Sequence, residues 1–378
     1  MIRFRILKQS KKTRARIGIL ETPHGEVETP TLVPVATQAN VKTLSSDEIR
    51  HTRSQILIVN TFHLHLRPGE KIVKRAGGLH DFMHWQRPLM TDSGGYQVFS
   101  LGFGKDFGMG KMLRKKSDVS VKHGQQPKLL NIQEDGVLFT SYLDGKKIFL
   151  GPKESMKIQE ALGADIIFAF DECTSPVADK AYTKASLLRT HRWAKESLKH
   201  RTSNQALFGI IQGGKFRDLR VESARIIRNM PFDGFGIGGE FGDEKGLMAK
   251  MLGWVLKELP EEKPRHLLGI GHVEDIKPII RAGVDLFDCI VPTHYARHNI
   301  AFTSEGRIDL MKSRHLKEHK ALDPECGCFV CENHTRSYLA HLARAREITG
   351  MKLLTFHNLC FFNAYVERLR EEIRKGKL

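Results

Sequence analysis

The chain has 378 residues and is 40 % hydrophobic, enough for one large α/β barrel or two average domains. No apolar run reaches the roughly eighteen residues of a membrane helix, and the opening MIRFRILKQSKKTRARIG lacks an apolar block before a small-residue cleavage site. The expectation is a soluble cytoplasmic protein without a membrane partner, whose 6 cysteines are reduced or metal-bound; its net charge of +17 suits a polyanionic partner as well as a merely solvated basic surface.

Eight short apolar runs recur along the chain: 31–37, 55–61, 88–95, 164–172, 206–214, 232–239, 265–272 and 284–293. Amphipathic segments such as Tyr182–His200, Phe216–Asn229 and Lys245–Leu259 separate several of them, the alternation of a parallel sheet with covering helices. Eight strand–helix units fit a (β/α)8 TIM barrel. Each run begins apolar and ends polar or in glycine: Asn60, Asp92, Asp171, Gln212, Gly239, Gly271 and Asp288 lie at or near that end. In a barrel those ends share one face, where active sites form.

Two insertions break the pattern. The segment 136–150 alternates in polarity around Asp144-Gly145, which predicts a hairpin with a primed turn. Ahead of it, 104–135 is glycine-rich, basic and polar and reads as a mobile loop, either able to close over a substrate or merely tolerated. The expected division is a barrel over 1–310, with its insertion at about 104–150, and a metal-binding helical subdomain over 311–378 packed on it. That subdomain is expected to contain helices at Thr335–Ile348 and His357–Lys375.

The stretch PECGCFVC, Pro324 to Cys331, places Cys326, Cys328 and Cys331 within reach of one tetrahedral ion, and thiolates favour zinc. A fourth ligand is required. His334 falls in the turn before a helix, Cys360 is another candidate, and His357 at the start of the last helix would tie the element together from a distance. We take His357 as the expected ligand. Four protein ligands leave no open position, so one structural Zn2+ per chain is expected.

TDSGGYQVFSLG, FDECT, GIIQGG, GIGG, DLFDCIVPT followed by AR, and CGCFVC with a distant FHN together resemble the tRNA-guanine transglycosylases of queuosine synthesis. The likeness runs from FRILKQSKKTRARIG to the final helix. It implies exchange of the guanine at the wobble position (34) of GUN-anticodon tRNAs for a 7-deazaguanine base, through a covalent enzyme–RNA intermediate. By resemblance Asp288 is the nucleophile and Asp92 the general acid and base, the two carboxylates that retaining glycosyl transfer requires. Ser93, Gly94, Gly95, Tyr96, Asp171, Gln212, Gly239, Glu240 and Gly242 then bind the base. Gly269, Ile270, Gly271, His272, Val273, Glu274 and Asp275, with Thr293, His294, Tyr295, Ala296 and Arg297, meet the tRNA. Family members are generally dimers, so a homodimer is expected.

Three departures stand out. His294 replaces the usual arginine after PT, and Asn299 replaces a common glycine. Gly242, in GGEFG, stands where bacterial members carry valine and eukaryotic ones glycine, which raises direct salvage of queuine beside use of the smaller prequeuosine base; Glu240 could meet the aminomethyl cation of either. Other readings are a relative that modifies DNA and a catalytically silent RNA-binding partner subunit, although a silent subunit should lack one of the two aspartates. An archaeal type acting on the D-arm would need a further RNA-binding domain. A metal-dependent hydrolase fits poorly, because the convincing ligand cluster is closed and lies beyond the barrel.

Overall fold

All eight apolar runs become strands of one closed parallel barrel in the computed structural model, which describes residues 2–108, 120–238 and 247–378. The barrel strands are β1 (Thr31–Ala36), β2 (Leu57–Val59), β3 (Leu89–Thr91), β4 (Ile166–Phe168), β5 (Ala206–Ile211), β6 (Gly234–Ile237), β7 (Arg265–Leu267) and β8 (Leu286–Cys289). They pair in chain order, and β8 closes on β1 with Asp288 opposite Val33. The strands are shorter than the apolar runs because the polar ends leave the ladder to form loops.

Alternation within the strands explains why the runs are apolar throughout. Val33, Ile58, Met90, Ile166, Phe168, Phe208, Ile210 and Leu286 fill the barrel interior. Their neighbours Leu32, Leu57, Leu89, Ile167, Leu207, Ile211 and Phe287 face the surrounding helices. With both faces buried, a strand has no polar face to show.

A three-stranded antiparallel sheet (Arg3–Gln9, Arg16–Thr22, Gly25–Thr29) leads into β1 and adds Leu20 and Val27 to the interior cluster. It is fastened through two aspartates that immediately precede barrel strands. Arg16 makes paired hydrogen bonds of 2.8 and 2.6 Å to Asp285, both side chains being buried. His24 Nδ1 lies 2.6 Å from Asp165 Oδ1, and His80 Nε2 lies 3.4 Å from Oδ2. The two imidazoles stack face to face at 3.5 Å, so their nitrogens run side by side toward separate carboxylate oxygens.

The predicted helices are present as Lys180–His200, Arg217–Arg228 and Leu247–Leu256. In the insertion, Val137–Thr140 pairs antiparallel with Lys147–Leu150, and Leu130–Ile132 adds a third strand. The turn differs from expectation. Ser141 and Lys146 still bond, leaving a wider loop in which Gly145 has φ +72° while Asp144 does not enter the left-handed region, as a primed two-residue turn would need. Nor is the whole of 104–135 an open loop. Val121 forms a bridge to Ala178 and packs with Phe103, Val177 and Tyr182; residues 109–119 of this segment lie outside the described ones.

The C-terminal helices span Arg336–Ala345 and Ile348–Arg374, so His357 lies well inside the last helix and not at its start. Gly350 lies in its first turn and packs closely on the preceding helix: a Cβ there would lie 3.0 Å from the Leu342 Cβ. The 27-residue helix is bound to the barrel by Arg370 Nη1 donating to Pro30 O, Asn363 Nδ2 to Thr52 O and Asn358 Nδ2 to Pro292 O. Among the described residues no helix is long and apolar enough to cross a membrane.

Candidate active site and metal centre

The C-terminal ends of the barrel strands carry the predicted catalytic carboxylates. Asp288 lies on β8, 9 % exposed, and its Oδ1 accepts the Gly269 N–H at 3.0 Å and sits 2.8 Å from His266 Nε2. Asp92 follows β3. Its Oδ1 accepts the N–H groups of Thr61 (2.9 Å) and Gly94 (3.2 Å), and its Oδ2 accepts Asn60 Nδ2.

The two carboxylates sit in unequal surroundings. Burial pushes the Asp92 carboxyl up to about 7, against the lowering by Thr61 and Gly94 and reinforced by the charge of Asp288. One group can thus carry a proton near neutrality.

Next to Asp92 in the chain, Ser93 opens a buried polar network. Asp171 Oδ1 accepts Ser93 Oγ at 2.7 Å, and Oδ2 accepts Gln212 Nε2 at 2.6 Å; all three side chains are buried. Ser93 Oγ also accepts the Gly95 N–H at 2.9 Å. Any Cβ at Gly95 would collide with Asp171, and Gly94 has φ +84°, so the double glycine is what lets this turn lie against the carboxylate. Tyr96 follows and is 38 % exposed. Gly239, Glu240 and Gly242, expected to complete the pocket, lie outside the described residues.

The loop after β7 runs from Gly269, at φ +75°, into the helix Val273–Ala282. Gly271 packs against Cys289, whose thiol donates to its carbonyl at 3.2 Å. Thr293, His294, Tyr295 and Ala296 lie on the short helix Val291–Ala296, with Arg297 at its end. Ile270, Thr293 and Ala296 are buried, whereas Glu274 and His294 are exposed and Val273, Asp275 and Arg297 are half-buried. His272 and Tyr295 approach edge-on at 6.1 Å and join the two segments. Asn299 has φ +60°, a left-handed conformation that asparagine tolerates better than most residues, so it can stand where a glycine is common.

Cys326, Cys328, Cys331 and His357 bring their ligand atoms within 4.8 Å of one another. This group could hold a metal ion. Nδ1 of His357 is 3.3 Å from Cys331 Sγ and 3.6 Å from Cys328 Sγ, while its Nε2 donates to Phe302 O at 2.8 Å. That outer hydrogen bond leaves the Nδ1 lone pair facing the sulfurs, the arrangement that a metal-ligating histidine uses. His334 instead stacks on Tyr338, and neither it nor Cys360 belongs to the group.

The family model for queuine tRNA-ribosyltransferase matches residues 10–378. The chain belongs to this family. It is similar to the queuine tRNA-ribosyltransferases of Halothermothrix orenii and Moorella thermoacetica, each 45 % identical over 379 residues, covering 100 % of this chain and 95 % of the relative. The Bacillus subtilis queuine tRNA-ribosyltransferase is 43 % identical over 380 residues, with 100 % and 93 % covered.

Asn60, singled out near the end of the second apolar run, also caps the helix that follows: its Oδ1 accepts the His63 N–H. One residue of this queuine tRNA-ribosyltransferase-family site escapes the sequence reading. His266 lies inside a strand, and only the pairing of His266 with Leu286 brings it beside Asp288.

Proposed function

We propose that this protein is a tRNA-guanine transglycosylase that exchanges the wobble guanine of GUN-anticodon tRNAs for a 7-deazaguanine base. The observation that carries the reading is the unequal pair of carboxylates, Asp92 and Asp288, at the ends of β3 and β8. In this mechanism Asp288 attacks C1′ of the nucleotide as the C1′–N9 bond breaks, and Asp92 gives its proton to the departing guanine. The covalent enzyme–RNA intermediate waits for the second base. Asp92 then takes the proton from N9 of that base, which displaces Asp288 from C1′ and restores the original configuration.

Base recognition in this reading belongs to Ser93, Asp171 and Gln212. Gln212 Oε1 is buried without a hydrogen-bond partner among the described residues, an acceptor suited to an N–H of a guanine-like edge. Tyr96 provides an exposed ring for stacking, and the reading keeps Gly239, Glu240 and Gly242 as the choosers of the incoming base. The net charge of +17 suits tRNA, with the loop Gly269–Asp275 and the helix carrying His294 as its docking elements. We assign Zn2+ to the three cysteines and His357, in a structural role that would tie PECGCFVC to the last helix. The enzyme is taken to be a cytoplasmic homodimer, in keeping with the resemblance.

The test incubates the full-length enzyme with unmodified tRNA and equal queuine and prequeuosine base, then reads nucleosides by mass spectrometry. The expected product is a 7-deazaguanine nucleoside at position 34, absent with Asp288→Asn; queuosine in excess would assign salvage, and the aminomethyl nucleoside a biosynthetic step. Exchange on double-stranded DNA but not tRNA, or full activity of Asp288→Asn, would overturn the proposal.

A further inference from the structure

His266 has no solvent exposure, and its environment defines its state. Its Nε2 lies 2.8 Å from Asp288 Oδ1, whereas its Nδ1 is buried with no hydrogen-bond partner among the described residues. An edge-on Phe168 ring stands 5.5 Å away, and the strand neighbours of His266 are Gly236 and Leu286. A proton on Nε2 donates to the carboxylate and leaves Nδ1 as a bare acceptor, whereas a proton on Nδ1 would be a buried, unanswered donor.

Among the described residues the two donors to Asp288, the His266 ring and the Gly269 N–H, fall on Oδ1. We propose that His266 is a positioning residue for the nucleophile: with Gly269 it fixes Oδ1 and so presents Oδ2 as the oxygen that bonds to C1′. The proposal rests on the reading of Asp288 as nucleophile. In the step it serves, the Oδ2–C1′ bond forms, the C1′–N9 bond breaks, and the electron pair leaves with the guanine that Asp92 protonates. A donor at Oδ1 suits this cycle, since it favours the carboxylate that attacks and still binds the ester oxygen while the intermediate waits. The titratable groups beside the pair are Asp92, which couples to Asp288 through charge, and Cys289, whose thiol burial holds neutral.

The experiment compares His266→Phe, which keeps a ring but removes the donor, with His266→Gln, whose side-chain amide places a donor near the Nε2 position. Single-turnover formation of the covalent enzyme–RNA adduct is followed on denaturing gels from pH 5 to 9, with tRNA affinity measured in parallel. His266→Phe is expected to slow adduct formation by about 10- to 100-fold, the loss of one charge-assisted hydrogen bond. It should leave tRNA affinity unchanged and move the acid side of the profile to higher pH, while His266→Gln returns the rate to within about threefold and restores the profile. A wild-type rate and profile for His266→Phe would overturn the proposal, as would a His266→Gln enzyme as slow as His266→Phe. An adduct formed by Asp288→Asn would instead overturn the nucleophile reading itself, so the two failures are distinct.

Discussion

Gln212 Nε2 donates a 2.6 Å hydrogen bond to Asp171 Oδ2, so the amide proposed to receive the base also orients the carboxylate beside it. Gln212→Leu keeps the volume and removes both functions, leaving Asp171 Oδ2 without that donor. Base affinity should fall about 10- to 100-fold, as expected for a lost hydrogen bond to a charged group, while tRNA affinity is retained. Radiolabelled guanine exchange gives the KM for base, and filter binding gives the tRNA Kd. An unchanged KM for base would remove Gln212 from base recognition.

The raised Asp92 carboxyl predicts a pH dependence with a definite sign. Its value of about 7 arises from burial, with the Asp288 charge added, so the protonated acid predominates below pH 7 and is lost above it. Adduct formation should therefore fall on the alkaline side of about pH 7. Asn60 donates to Asp92 and lowers its value, so Asn60→Ser, which keeps a helix-capping oxygen, should move this alkaline limb to higher pH. For folding the sign is also fixed. A carboxyl whose folded value exceeds its unfolded one takes up protons on folding, so its contribution to stability is full below the unfolded value and declines as pH rises through about 7.

The barrel was legible because its strands are buried on both faces, which turns them into short apolar runs that stop where the polar site begins. Asp92, Asp171, Gln212 and Asp288 were readable as residues at those stops. His266 was not: its partner lies 22 residues away and meets it only through the register of β7 and β8. His357 was read as a candidate ligand but placed at a helix start, because Gly350 reads locally as a break while its close approach to Leu342 is tertiary. The wider hairpin loop was equally hidden, since Asp-Gly fits a primed turn locally but Ser141 and Lys146 set the closure.

Cys328→Ala should remove the bound metal, because three remaining ligands cannot close a tetrahedral structural site. The last helix carries His357 and also reaches Pro30, Thr52 and Pro292, so loosening the cluster should lower the stability of the whole chain. Metal analysis is expected to fall from about one zinc per chain to none, with a lower unfolding midpoint; chelation of the wild type should reproduce both. Purified wild type without metal would refute the assignment.

Arg16 and Asp285 test the opposite end of the barrel. Their side chains are 1 % and 0 % exposed and joined by two hydrogen bonds, and Asp285 Oδ2 also accepts the Arg265 N–H at 2.8 Å. Arg16→Met removes the cation and strands a buried carboxylate, which costs about 3–5 kcal/mol where one partner of a buried pair is lost. Equilibrium urea unfolding should show that loss. The double variant Arg16→Met, Asp285→Leu should recover part of it, because the orphaned charge is gone, although the Arg265 N–H then loses its acceptor. Arg16 opens a strand of the N-terminal sheet and Asp285 immediately precedes β8, and the partners of the Asp288 carboxylate are His266 and Gly269 and neither of these two, so guanine exchange at a temperature where Arg16→Met remains folded should match wild type. A large fall in exchange by folded Arg16→Met would show that the N-terminal sheet shapes the site and does more than close the barrel.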